Sequence, residues 1–168
     1  METAVELPFG DGTYRFWLPL PQIVALERKC ADTSLLVIEE RLRASIGVDA
    51  DGGFTFVGGG SAMIADVRET IRQALVGGNS GMVDGQEVEV GPITASQLTD
   101  QYVYPARPLS EGVVTAWRIL HAAIHGAQLV KKKDDAPPRG RRRSARAANR
   151  QCGRAGAQLG APVPISLP

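Results

Sequence analysis

His121 and His125, one helical turn apart, are the residues of this chain best suited by type and spacing to chemistry. Positions i and i+4 share one face of an α-helix, so two imidazoles there can reach a single metal ion. A zinc site needs at least one further protein ligand, and Ala122 stands where an HExxH motif has its glutamate. The expectation is two histidines flanking the core face of an ordinary helix, with no metal and no cofactor.

Other candidate sites fare no better. Asp49-Ala50-Asp51-Gly52-Gly53 opens like a calcium loop, but Gly53 takes the third acidic position and Gly60 the place of the twelfth-position glutamate. A turn is expected there. Gly58-Gly59-Gly60-Ser61 precedes a helix without the Lys-Ser or Lys-Thr of a phosphate loop, and reads as a connector. Neither Cys30 nor any serine stands in a nucleophile elbow, and Glu39-Glu40 is expected on the solvated side of its helix. No catalytic residue is assigned, and the chain reads as a non-enzyme.

The composition excludes several classes. Among 168 residues, 43% are hydrophobic but only 5% aromatic, so the core must rest on Leu, Ile, Val and Ala. No apolar run approaches the ~20 residues that cross a bilayer, and Met1 to Gly10 lacks the basic start and apolar run of a signal peptide. Cys30 and Cys152 form no closely spaced pair, which fits a reducing cytoplasm. The net charge of +1 hides two opposite parts. Residues 1–130 carry nine Lys/Arg against sixteen Asp/Glu, a net of −7, and residues 131–168 carry ten against two, a net of +8.

The elements that must position any site follow from periodicity. Val5-Glu6-Leu7 and Tyr14 to Leu18 read as two strands joined through Gly10-Asp11-Gly12-Thr13. Pro19 and Pro21 end the second strand and open a helix with Ile23, Leu26 and Cys30 on one face. Leu35, Ile38, Leu42 and Ile46 form a second stripe, capped near Asp32, Thr33 or Ser34 and stopped by Gly47. Ile64, Val67, Ile71 and Leu75 form a third, opposite Asp66, Arg68, Glu69 and Arg72, and Gly77-Gly78 ends it. Thr94-x-x-Gln97 matches a capping box before a helix with Leu98 and Tyr102. Val113, Trp117, Leu120 and Ile124 mark the last helix, with Ser110 as its N-cap and Gly126 after its end. Trp117, Leu120 and Ile124 are expected to be buried. Gly52 to Gly60 reads as a stretch holding a short strand or as a loop pinned by its aromatics, and Gln86 to Val90 alternates like a short strand.

These readings make the fold mainly α with a small N-terminal β-hairpin, an α+β chain. A compact bundle of four or five amphipathic helices fills residues 1–129, an acidic domain, and residues 130–168 form a basic, low-complexity, disordered tail. Arg139, Arg141, Arg142, Arg143 and Arg146 in that tail suit phosphates or an acidic partner, though no aromatics interleave for base stacking.

A fixed order of segments resembles the gene-transfer-agent type of phage tail assembly chaperone. Trp17-Leu18-Pro19-Leu20 is followed by Ile23-Val24-Ala25-Leu26-Glu27, then by Asp66 to Gly78, then by Ala116 to Gly126. The likeness spans about three quarters of the chain, from Val5 to Gly126. It implies a helper in the bacterial host cytoplasm that binds the tape-measure protein while tail-tube subunits assemble around it. Within these segments Trp17, Ile23, Leu26 and Trp117 are the candidate protein-binding residues. Self-association stays open. The basic tail departs from the family pattern, which keeps a nucleic-acid-associated or minor structural tail protein as the alternative.

Overall fold

In the computed structural model, residues 2–127 are described, and the expected tail with its arginines lies outside them. The chain folds as mixed α+β. The elements run β1 (Val5–Phe9), β2 (Gly12–Phe16), α1 (Leu20–Lys29), α2 (Leu35–Arg43), β3 (Ile46–Val48), β4 (Phe54–Phe56), α3 (Ile64–Gly78), β5 (Ser80–Val83), β6 (Gln86–Glu89), α4 (Pro92–Tyr102) and α5 (Leu109–His125).

The expected N-terminal hairpin forms, and it is half of a four-stranded antiparallel sheet in the order β1-β2-β5-β6. Phe9 pairs with Gly12 across the two-residue turn Gly10-Asp11, and Gly10 takes φ +60°, open to glycine without steric cost. Alternation then turns Leu7, Phe9, Tyr14 and Phe16 to one buried face. Phe9 meets Phe16, Tyr14 and Tyr102 edge-on, with ring centroids 5.9, 6.5 and 6.1 Å apart.

Helix α3 lies at the centre, against β2, α1, α4 and α5. Val67, Ile71, Ala74 and Leu75 are buried, as the stripe requires, but so are Asp66 and Glu69, which were expected on the polar side. A helix covered on several faces has no continuous wet side, so these acids are held by hydrogen bonds and arginines instead. Asp66 accepts the Met63 amide at 2.9 Å and sits 3.5 Å from Arg41; Glu69 pairs with Arg68 and, at 3.1 Å, with Arg72. The C-terminus of α3 runs against β2 so closely that the Trp17 amide donates to the Ala74 carbonyl at 3.0 Å.

Three local expectations change. Helix α2 ends at Arg43, and Ile46 belongs to β3, where it pairs with Phe56 of β4 rather than extending the helical stripe. Thr94 lies inside α4, whose N-cap is Gly91, so the capping box does not form. Helix α5 starts after Pro108 rather than Ser110. Proline opens α1 and α4 because its fixed φ and missing N–H suit a first turn. Ser34 caps α2, its hydroxyl accepting the Leu36 amide at 3.3 Å.

Candidate functional site

Helices α2 and α5 pack against each other, and their contact holds the residue whose placement differs most from expectation. Glu39 is buried, 9% exposed, while Glu40 beside it is solvated. Helical geometry explains this: at 3.6 residues per turn, Glu39 lies within about 40° of Leu35 and about 60° of Leu42, inside the apolar stripe. Asp66 and Glu69, the other buried carboxylates among the described residues, have arginine partners. Glu39 has no cationic partner among the described residues. Its Oε1 accepts one hydrogen bond, from the Trp117 indole Nε1 at 3.2 Å.

The surroundings of Glu39 come mostly from α5. Trp117, His121 and His125 follow one another at i+4 steps, with centroids 5.0 Å apart for Trp117 and His121 and 4.6 Å for the two imidazoles. Phe54 of β4 closes against Trp117 at 4.6 Å. One ligand atom from each of Glu39, His121 and His125 lies within 4.8 Å of the other two. A candidate third ligand, which the local motif lacks, thus comes from α2. Glu39 is buried, His121 half-buried and His125 exposed, so the cluster opens to solvent at one end. His121 also lines a cleft of about 550 Å³ with Glu6, Arg15, Phe54 and Arg118.

A second feature has different chemistry. A groove of about 430 Å³ runs between the start of α3, the end of α4 and the start of α5. It is lined by Ile64, Val103, Tyr104 and Leu109 with Arg68, Thr99 and Asp100, and its wall is almost wholly apolar. Thr99 turns its hydroxyl to the Ala95 carbonyl at 2.7 Å, and Arg68 pairs with Asp100 at 2.7 Å. The hydrogen bond to Asp100 raises the pKa of the Arg68 guanidinium. Ile64 and Tyr104 are exposed at the groove's edge.

The four expected protein-binding residues part company. Leu26 and Trp117 are core residues, 0% and 5% exposed, so neither offers a surface to a partner. Trp17 is 38% exposed and Ile23 half-buried. The outward face of α1 adds Leu20 and Val24, one turn apart and both exposed. Leu120 is buried, whereas Ile124 is only half-buried because it lies in the last turn of α5. The Asp49 segment is a turn: its carboxylate accepts the amides of Asp51 and Gly53 at 3.0 and 2.6 Å between β3 and β4. Gly58 and Gly59 adopt positive φ in the connector before α3. Cys30 is buried beside α3, and desolvation with the nearby Asp66 charge pushes its thiol up to about 12.

Comparisons of the chain with models of protein families, with curated proteins and with solved structures return no match. Among the described residues, no helix is long and apolar enough to cross a membrane.

Proposed function

We propose that this chain is a non-enzymatic tail assembly chaperone of a phage or gene transfer agent, which holds apolar helical segments of a tape-measure protein before tail-tube subunits enclose it. The observation that supports this reading is the apolar groove bounded by Ile64, Val103, Tyr104 and Leu109. A groove with so little polar wall favours apolar side chains over a polar metabolite, and helix-in-groove docking is a common way to shield an amphipathic segment. The Arg68–Asp100 pair at its side offers both charges to the polar flank of such a helix. The ordered segments from Trp17 to Gly126 supply the choice of partner.

Co-expression with the tape-measure protein encoded alongside it tests the reading. The partner stays soluble with the wild-type chain and aggregates without it. Ile64→Asp with Tyr104→Asp charges the groove at two exposed positions, and Ile64 opens α3, where an acidic residue is tolerated. That variant loses the partner. A partner equally insoluble with and without the chain refutes the chaperone, and full protection by the charged variant refutes the groove. The alternative, a nucleic-acid-associated or structural tail role, draws on the +8 charge of residues 131–168. It requires DNA binding that weakens steeply with salt and disappears when those residues are removed.

A further inference from the structure

We propose that Glu39, His121 and His125 form a binding site for a divalent transition-metal ion of the zinc type, with the fourth position left to water. Two observations point to it independently. The first is ligand geometry: a carboxylate and two imidazoles, the donor set of a His₂Glu zinc site, gather with their ligand atoms within 4.8 Å of one another. Zinc–ligand bonds of ~2.0–2.1 Å in a tetrahedron put ligand atoms about 3.4 Å apart. Closing the gap takes side-chain movements of roughly an ångström, small beside the spacing of ordinary rotamers. His125 is exposed and His121 half-buried, so both rings have room to turn.

The second is charge. A carboxylate removed from water without a cation is costly, and the two other buried acids among the described residues solve the problem with arginines. Among the described residues Glu39 has the Trp117 indole N–H instead, a neutral donor that brings no balancing charge. A metal ion between Glu39 and the histidines supplies the missing positive charge. The indole then acts as the outer hydrogen bond that metal-bound carboxylates usually keep, fixing which oxygen faces the ion. His125 lies in the last turn of α5, where the carbonyl end of the helix also favours a cation. The ion would join α2, through Glu39, to α5, through the two histidines.

The test uses the full-length chain without an affinity tag, stripped of metal by chelator, and zinc or cobalt ions as the probes. Competition against a chromophoric chelator gives one zinc per chain, and cobalt produces the visible absorption of a four-coordinate site. Glu39→Gln keeps an acceptor for the Trp117 N–H but removes the charge, and His125→Ala alters an exposed side chain. Each weakens zinc binding by at least about 10- to 100-fold, the loss usual even when only an outer partner of a metal is removed. Urea unfolding of the metal-free variants establishes that they are folded. Cys152→Ser leaves binding unchanged. The proposal is overturned if the wild-type chain shows no saturable zinc binding, if Glu39→Gln binds as tightly as wild type, or if binding is lost with Cys152→Ser.

Discussion

Replacing Gly78 with alanine sets two well-understood effects against each other. Gly78 is the last residue of α3, and in a helix alanine is favoured over glycine by about 1 kcal/mol. A Cβ at this position, however, would lie well inside contact distance of the Arg15 carbonyl oxygen, a backbone atom of β2. No side-chain rotation relieves that clash. Strand β2 is held on both sides, by β1 and β5, so the adjustment falls on α3. Moving the helix end outward stretches the Trp17 amide to Ala74 carbonyl bond, now 3.0 Å, which contributes about 1 kcal/mol net. Overpacking of this kind adds about 1–3 kcal/mol. After subtracting the helix-propensity gain, Gly78→Ala destabilises the fold by about 2 kcal/mol. Urea unfolding followed by tryptophan fluorescence reads this as a midpoint lowered by about 1 M, for a slope of the usual 1–3 kcal/mol per molar. An unchanged or raised midpoint would mean that propensity governs the site and that the close approach of α3 to β2 is wrong.

Trp117→Ala, removing a side chain only 5% exposed, costs about 3–5 kcal/mol in the same assay. Trp117→Phe keeps most of the volume but takes the only described hydrogen-bond donor from Glu39, and costs about 1–3 kcal/mol; a neutral result would show that this bond contributes nothing. Cys30, its thiol pushed up to about 12, should react with thiol reagents in a Cys152→Ser chain at pH 8 about a thousand times more slowly in the folded than in the unfolded state. The unfolded chain releases this proton near 9.0 and the folded chain retains it, so stability falls as pH rises from 9.0 toward 12. Cys30→Ala should flatten that decline, and urea midpoints on either side of the window check it.

Helix positions were legible wherever an apolar stripe repeated at three and four residues, as in α1, α3 and α5. The sheet was only half legible. Asp84-Gly85 is the β5–β6 turn, both residues taking positive φ, 49° and 78°, as a type I′ turn requires. That dipeptide is a strong hairpin signal, yet of the four residues before it only Val83 is a strong strand former, and Gly81 is a poor one. What makes β5 a strand is its neighbour: Gly81 faces Tyr14, whose ring occupies the space a Cβ would need. The pairing of β5 with β2 joins segments separated by three helices, and no local pattern specifies it. Ile46 shows the opposite failure. It continued the α2 stripe in perfect period, but α2 stops at Arg43 and the backbone turns into β3. The apolar groove was invisible for the same reason as the sheet, since its walls come from α3, α4 and α5.

Glu39 carries the wider lesson about buried charge. Its position within the stripe of Leu35, Ile38 and Leu42 follows from counting residues, and its acidity made it look solvated only because acids usually are. When periodicity and residue type disagree, the helix does not move one side chain to the other face; the surroundings must answer the charge. For Asp66 and Glu69 arginines from α2 and α3 answer it, and those pairs tie the core together. For Glu39 the residues arriving from α5 are an indole, whose N–H orients the carboxylate, and two imidazoles, which share its ligand chemistry. A structural acid gains from a fixed cation, whereas a carboxylate beside two imidazoles has the ligands to hold an exchangeable one. The contact between α2 and α5 is therefore where this chain departs from pure packing. The buried carboxylate of Glu39, which has no arginine or lysine partner among the described residues, distinguishes the proposed metal site from an ordinary helix face more than the i,i+4 spacing of the histidines does.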